Sequence, residues 1–133
     1  MPADPQLVVK EFEKTLNELK SLGITPIVFS PPPANGLNLG QCLAKAEWRG
    51  LNLENCDFAV SEISQHRLVV HDLLQIVAKK NSVVFLDDLM CSDVSCRTHF
   101  DNVFLFRDSG HLSNEGSAAL GKKFDFYRIS VEQ

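Results

Sequence analysis

Apolar residues recur at helical spacing in two long stretches of the chain. In residues 5–22 they alternate with charged residues, so that one side of a helix is apolar and the other is solvated. Asp4-Pro5 supplies a capping residue and a first-turn proline for this helix, and Gly23 ends it. The same periodicity over residues 61–80 predicts a second long helix.

Short apolar runs lie between and after these helices. The predicted strands are residues 24–30, 82–88 and 102–106, of which the first two are expected to be buried. A short helix is expected over Leu39–Trp48, and Ser113 is expected to cap a last helix that ends near Phe126. The order helix, strand, helix, strand favours parallel strands joined by right-handed crossovers, and therefore an α/β fold.

Length and charge narrow the classes of function. The 133 residues suit one domain, 1–133, with one core, and 44% hydrophobic with 23% charged residues is typical of a globular protein. A formal net charge of −4 gives no electrostatic case for nucleic acid or an anionic membrane surface. No apolar run approaches the roughly 20 residues of a membrane span. The first residues do not resemble a signal peptide, so if the domain works outside the cytosol its export signal is expected outside this chain.

The four cysteines, Cys42, Cys56, Cys91 and Cys96, leave three chemistries open. An even count allows two disulfides, which would indicate an oxidising compartment; free buried thiols and a metal site are the alternatives. The CSDVSC spacing is too wide for a Cys-x-x-Cys site.

The histidines supply no metal-binding pattern beside the cysteines. His66 and His71 are five residues apart in the second long helix, which is not the spacing of a zinc helix, and we expect no metal ligands. His99 is expected to be solvated. Asp87 and Asp88 are expected at a strand-end turn, where they could help to position a substrate.

The segment FRDSGHLSNEG, residues 106–116, carries the strongest chemical signal. Asp108 and His111 are three residues apart on a predicted turn, so one cleft could receive both side chains, and Gly110 lets the backbone bend tightly. A carboxylate that holds one imidazole nitrogen leaves the other to take a proton from a nucleophile. The same spacing also suits a plain turn in which Asp108 only bonds to backbone amides.

The segment RDSGHLSNEGSAALG resembles the last conserved block of the SGNH hydrolase superfamily. It looks closest to the SGNH domains fused to membrane acyltransferases that O-acetylate lipopolysaccharide and other surface glycans. Residues 106–113 match the block, and residues 24–33 (ITPIVFSPPP) resemble the family's strand that ends in prolines. Cys42-Leu43-Ala44 and the loop between Cys91 and Cys96 agree as well, so the resemblance spans about residues 5–126.

The resemblance implies roles for several residues. Asp108 would orient His111, His111 would be the general base, and Ser113 would be a structural helix cap. Cys91–Cys96 would be one disulfide, which makes Cys42–Cys56 the other. The expected fold is the C-terminal part of a three-layer, flavodoxin-like SGNH fold.

The resemblance also implies a function and a location. The parent protein would transfer an acyl group, expected to be acetyl, to lipopolysaccharide or another envelope glycan, through an acyl-serine and without a cofactor. Its partners would be the acyl donor, the glycan acceptor and an upstream membrane acyltransferase domain. The chain would be a periplasmic domain of a bacterial inner-membrane protein.

The nucleophile block of the family is missing. No Gly-Asp-Ser occurs in the sequence, and the first strands that carry it would precede residue 1. We therefore expect the chain alone to have little or no esterase activity, and its uncovered sheet edge to favour a dimer. Gly36-Leu37-Asn38 matches the Gly-x-Asn form of an oxyanion block, so Asn38 is a candidate donor. Neither Ser30 nor Ser109 has the context of a nucleophile.

Three alternatives remain open. The parent could be a carbohydrate esterase, which shares the chemistry but delivers the acyl group to water. The chain could be a non-catalytic glycan-binding module, in which Trp48 could stack on a sugar, although buried packing explains Trp48 equally well. It could also be a cytosolic α/β domain with free thiols.

Overall fold

The computed structural model describes residues 4–131, which form six helices, six short strands and two short 3-10 helices. The helices are α1 (Pro5–Ser21), α2 (Leu39–Trp48), α3 (Gln65–Val77), α4 (Leu86–Met90), α5 (Asn114–Phe124) and α6 (Phe126–Val131). The strands are β1 (Ile27–Phe29), β2 (Phe58–Ala59), β3 (Ser82–Val84), β4 (Ser95–Cys96), β5 (His99–Phe100) and β6 (Val103–Phe104). Short 3-10 helices cover Leu53–Cys56 and Val60–Glu62.

The predicted signals at the ends of α1 are confirmed. Asp4 is the N-cap and its side chain accepts a hydrogen bond from the Gln6 amide at 3.1 Å. Pro5 occupies the first helical position, and Gly23 follows the helix with a φ of 80°. That positive φ suits glycine, since residues with a Cβ rarely adopt it. The expectation that the first residues are not a signal peptide concerns in part residues 1–3, which lie outside the described residues.

The sheet that the sequence predicted is a parallel pair of β1 and β3. Ile27 pairs with Ser82 and Phe29 pairs with Val84. The Ser30 amide adds one bond to the Val84 carbonyl at 2.9 Å, and the ladder ends there because residues 31–33 are prolines without an amide hydrogen. The parallel connection of the two predicted strands is confirmed.

Helices cover both faces of this pair. Val83 packs with Val9, Leu16, Leu74 and Val77 of α1 and α3, which form one apolar cluster. Successive strand residues point to opposite faces. On the other side, α6 lies against β3, and the Phe126 ring meets the Phe29 ring edge-on, with centroids 5.0 Å apart. The architecture is therefore the expected three-layer α/β arrangement.

The prediction that residues 24–30 form a fully buried strand is wrong. Ile27 and Phe29 are each 41% exposed, and only residues 27–29 are in strand conformation. Among the described residues, β1 pairs with β3 and with no other strand. The apolar side chains of β1 are thus only partly covered.

The run of residues 82–88 changes from strand to helix halfway along. β3 ends at Val84, and α4 begins at Leu86, so Asp87 and Asp88 lie in a helix and not at a strand-end turn. Leu86 and Met90, four residues apart, are both buried, which anchors α4 to the core. A short continuous apolar run does not distinguish a buried strand from a buried helix.

Residues 102–106 form a strand only in part. Val103 and Phe104 make the short antiparallel hairpin of β5 and β6, separate from the parallel pair. Asp101 turns this hairpin at a φ of 49°. Helix α3 also differs from its prediction, since it begins at Gln65 after the 3-10 helix Val60–Glu62 and ends at Val77.

Both disulfides implied by the resemblance are present. Cys42–Cys56 joins α2 to the following 3-10 helix, and Cys91–Cys96 closes the loop between α4 and β4. No cysteine in the described part of the chain is free, which removes the free-thiol alternative for these four residues. Residues 4–131 contain no helix long and apolar enough to cross a membrane.

Candidate functional site

The Asp108–His111 turn is pinned at both ends by backbone contacts. The Arg107 amide donates to the His111 carbonyl at 2.9 Å, and Phe106 and Leu112 form an antiparallel bridge. The Ser113 amide donates to the Leu105 carbonyl at 2.8 Å. Because Leu105 and Phe106 are fully buried, the turn projects from a fixed core.

Helix α5 begins immediately after the turn. Its predicted N-cap is confirmed, since the Ser113 hydroxyl accepts from the Gly116 amide at 2.8 Å and donates to the Phe104 carbonyl at 2.6 Å. Ser113 is therefore engaged structurally, and this agrees with the role that the resemblance implied.

The Asp108 carboxylate closes the turn and holds the imidazole at the same time. Its Oδ1 accepts from the Gly110 amide at 2.9 Å and from the His111 amide at 2.8 Å. His111 Nδ1 lies 3.0 Å from both carboxylate oxygens. The Gly110 amide, followed by the His111 amide and ring, stabilises the charged carboxylate and lowers the pKa of Asp108 below its usual value. Asp108 is thus an anion at neutral pH.

The edge of the imidazole that carries Nε2 is exposed to solvent. The His111 side chain is 70% exposed, whereas that of Asp108 is 36% exposed. A neutral imidazole has one N–H and one lone pair, and a carboxylate at Nδ1 places the proton there. Nε2 is then left as an acceptor that can take a proton from an approaching hydroxyl. Asp108 and His111 are therefore brought together in the arrangement that general-base chemistry requires.

Two neighbouring helices reach the turn. The start of α2 packs so closely that a Cβ on Gly40 would overlap the Arg107 carbonyl. From α3, the Arg67 guanidinium donates through Nη2 to the Gly110 carbonyl at 3.0 Å. No local pattern in the sequence marks Arg67, because it lies 43 residues from Gly110 along the chain.

The candidate oxyanion residue Asn38 caps α2. Its Oδ1 accepts from the Gln41 amide at 2.9 Å, and the residue is exposed. Since Gly40 touches the backbone of Arg107, Asn38 is two residues from a direct contact with the turn. A role in binding an oxyanion stays a prediction.

The two rejected serines are in unlike places. Ser30 is buried, accepts from the Leu86 amide at 2.8 Å and donates to the Pro31 carbonyl at 3.1 Å. Ser109 is exposed on the turn between Asp108 and His111.

The expectation that His99 is solvated is wrong. The residue is 6% exposed, and its Nδ1 lies 3.0 Å from the Asp101 carbonyl. Its Nε2 is buried without a hydrogen bond, 3.8 Å from the Asp57 carboxylate. No local spacing marks this burial, because it depends on the packing of the β5–β6 hairpin against Asp57. Among residues 4–131 no group of three or more His, Cys, Asp or Glu side chains is arranged to hold a metal ion.

The remaining candidates divide between buried and exposed positions. The His71 ring packs on Phe85, with centroids 4.8 Å apart. Asp87 is half-buried, and burial is the main cause that raises its pKa above the usual value. Trp48 is 84% exposed, so the interpretation of this residue as buried packing is wrong.

The chain is similar to known proteins over most of its length. The family model "SGNH domain (fused to AT3 domains)" matches residues 2–126. Among solved structures, the chain is similar to the lipopolysaccharide acetyltransferase periplasmic domain of Salmonella ser. Paratyphi A, with a TM-score of 0.71 and 18% sequence identity. The match covers 95% of this chain and 51% of that one, so the chain spans about half the length of the similar structure. No curated protein matches the chain. At this identity the structural likeness establishes a common fold.

Proposed function

The chain belongs to the SGNH domains that are fused to AT3 domains, and on that premise we propose that it supplies the Asp–His part of an O-acyltransferase triad. The observation that carries the proposal is the contact of His111 Nδ1 with both oxygens of Asp108 at 3.0 Å, beside an exposed ring. A carboxylate in this position fixes the tautomer and stabilises the imidazolium that forms during catalysis.

The mechanism needs a serine that this chain does not present in a Gly-Asp-Ser block. His111 Nε2 removes the proton of that serine hydroxyl, and the serine oxygen attacks the acyl carbonyl of the donor. The leaving group takes the proton from His111, and an acyl-serine remains. A glycan hydroxyl then gives its proton to Nε2 and attacks the acyl-serine, and the serine oxygen leaves with that proton.

The family and the similar structure support a proposal for the substrates and partners. The acyl group is acetyl and the acceptor is lipopolysaccharide or another envelope glycan, because the similar solved structure belongs to a lipopolysaccharide acetyltransferase. The AT3 domain to which such SGNH domains are fused would be the upstream membrane partner that provides the acyl group. On this proposal the chain would lie on the periplasmic side of a bacterial inner membrane, and its two disulfides support an oxidising compartment. Asn38 would donate to the oxyanion.

The test is the substitution His111→Ala in the complete protein, expressed in cells that lack the wild-type gene. We expect O-acetylation of the envelope glycan, measured by proton NMR of the purified glycan, to be lost. His66→Ala, an exposed histidine on α3, is the matched control and should keep wild-type acetylation. Acetylation that persists in the His111→Ala strain at an equal protein level would contradict the proposal.

A non-catalytic glycan-binding module is the second candidate, and the 84% exposure of Trp48 favours it. An exposed indole offers a flat apolar face on which a sugar ring can stack. The same strains separate the two functions. Under the binding function, His111→Ala leaves the glycan modification intact, whereas Trp48→Ala abolishes retention of the chain on immobilised envelope glycan.

A further inference from the structure

One side chain outside the Asp–His pair holds the peptide between its two members. Arg67 Nη2 donates to the Gly110 carbonyl at 3.0 Å. That carbonyl belongs to the same peptide group as the His111 amide, which donates to Asp108 Oδ1 at 2.8 Å. In a trans peptide the C=O and N–H point in opposite directions. The peptide is therefore held at one end by Arg67 and at the other by Asp108.

We propose that Arg67 is a positioning residue that sets the orientation of His111 toward Asp108. This inference rests on the proposed function of the pair. A cationic donor on the Gly110 carbonyl polarises the peptide and strengthens the donation by its N–H. If the bond were lost, the peptide could rotate, and the His111 amide and ring would leave the carboxylate together.

The backbone of Arg67 is itself held by hydrogen bonds. The Ser64 amide, at the start of α3, donates to the Ala34 carbonyl at 2.9 Å, and the Arg67 amide donates to the Ser64 carbonyl at 2.9 Å. Ala34 directly follows the three prolines that end the β1 segment. The first turn of α3 is thus attached to the loop after β1, so that Arg67 links this loop to the Asp108–His111 turn.

The surroundings of the guanidinium favour an ordered side chain. Arg67 lines a cavity of about 10 Å³ with Ser30, His71 and Asp87. Asp87 is half-buried. Burial raises the pKa of its carboxyl group, and the positive charge of Arg67 acts weakly in the opposite direction. A carboxylate nearby reduces the cost of burying part of the guanidinium. Arg67 therefore shares this small space with Asp87, and its side-chain hydrogen bond goes to the Gly110 carbonyl.

Gly110 leaves the space that this contact needs. A Cβ at Gly110 would lie 2.8 Å from Arg67 Nη2, which is too close for both groups to stay in place. Gly110→Ala should displace the guanidinium, and Arg67→Ala should remove it. Because both substitutions break the same contact, their effects should not add.

The first experiment measures the turn in this chain alone. We expect Arg67→Ala to speed hydrogen exchange of the His111 amide and to lower the population of the Nδ1–H tautomer, read from the ¹⁵N shifts of the ring. Arg67→Lys, which keeps a cationic donor, should restore part of both signals. Arg49→Ala removes an exposed arginine at the end of α2 and serves as the control. Unchanged His111 signals in a folded Arg67→Ala variant would overturn the inference.

The second experiment measures catalysis in the complete acyltransferase. Misplacement of a catalytic group by about 1 Å can cost about 100-fold in rate, so we expect Arg67→Ala to lower kcat by roughly 10- to 100-fold at an unchanged KM. The Arg67→Ala, Gly110→Ala double variant should lose no more than the worse single variant. A kcat equal to wild type in Arg67→Ala, while His111→Ala is inactive, would overturn the role of Arg67 alone. Activity in His111→Ala would instead overturn the proposed function.

Discussion

At the scale of single residues, the two interpretations of the Asp-x-x-His spacing describe the same carboxylate. Asp108 Oδ1 accepts both backbone amides of the turn, as a plain turn residue would, and it also contacts the His111 ring. Arg107 adds a positive charge, with Nε 3.5 Å from Oδ2. The same carboxylate thus closes the turn and contacts the imidazole, so the turn geometry and the orientation of the histidine depend on one group.

This arrangement predicts a pH-dependent effect of Asp108→Asn on stability. The folded state lowers the pKa of Asp108 below its usual 3.8, so the ionised carboxylate stabilises the fold. That contribution is complete above pH 3.8 and is lost as the pH falls through the lower pKa of the folded state. We expect the gap in free energy of unfolding between wild type and Asp108→Asn to shrink as the pH falls below about 3.8.

Urea unfolding at a series of pH values from neutral to strongly acidic measures this gap. Asp93→Asn, in the exposed loop closed by Cys91–Cys96, makes the same change of charge away from the turn. A gap that stays constant across the acidic range for Asp108→Asn would show that the carboxylate contacts do not stabilise the fold.

At the scale of elements, α5 can pack closely against the segment before the turn because residue 116 is a glycine. Gly116 is buried in the first turn of α5, and a Cβ there would lie 2.6 Å from the Cα and carbonyl oxygen of Leu105. Both of these are backbone atoms, which cannot rotate away. The close approach brings α5 against the segment that leads into the Asp108 turn.

Two glycine-to-alanine substitutions in α5 should therefore change the stability of the fold in opposite directions. Gly116→Ala should destabilise the fold by about 1–3 kcal/mol, because the methyl group forces the helix off Leu105. At Gly121 a Cβ would meet only the Phe126 ring, at 3.5 Å, an ordinary contact. Gly121→Ala should stabilise the fold by about 0.5–1 kcal/mol, since alanine favours a helix interior. Urea unfolding of the two variants checks this, and equal effects of the same sign would contradict it.

Some elements of this fold and site could be predicted from the sequence, and others could not. Periodicity and capping residues were enough for α1, for α2 and for the start of α5 at Ser113, because these signals are local. The spacing of Asp108 and His111 indicated the pair, and the resemblance of one block to a family strengthened it and supplied the pairing of the cysteines. The conversion of residues 86–90 to helix, the burial of His99 and the contact of Arg67 with Gly110 all depend on residues far apart in sequence. No local pattern encodes such contacts, so they became visible only in the structure.

At the scale of the whole molecule, β1 is a strand with a free edge within residues 4–131 and with partly exposed apolar side chains. Ile27 and Phe29 of β1 are each 41% exposed, although Phe29 also packs on Phe126. Only β3 pairs with β1 in the described part of the chain. An uncovered strand edge with apolar side chains is a template for pairing with another strand. A second copy of the chain supplies such a strand at high concentration.

We therefore predict that the isolated chain self-associates through β1, and that Ile27→Lys reduces this association. A lysine on the strand introduces like charges that would face each other across a symmetric contact, and charged residues at sheet edges oppose pairing in native proteins. Leu22→Lys is the matched control, because Leu22 is 75% exposed at the end of α1 and is not part of the strand. Sedimentation velocity over a range of concentrations measures the association. The wild type and Leu22→Lys should form dimers at concentrations where Ile27→Lys stays monomeric, and a wild-type chain that is monomeric throughout would mean that β1 is not a self-pairing edge.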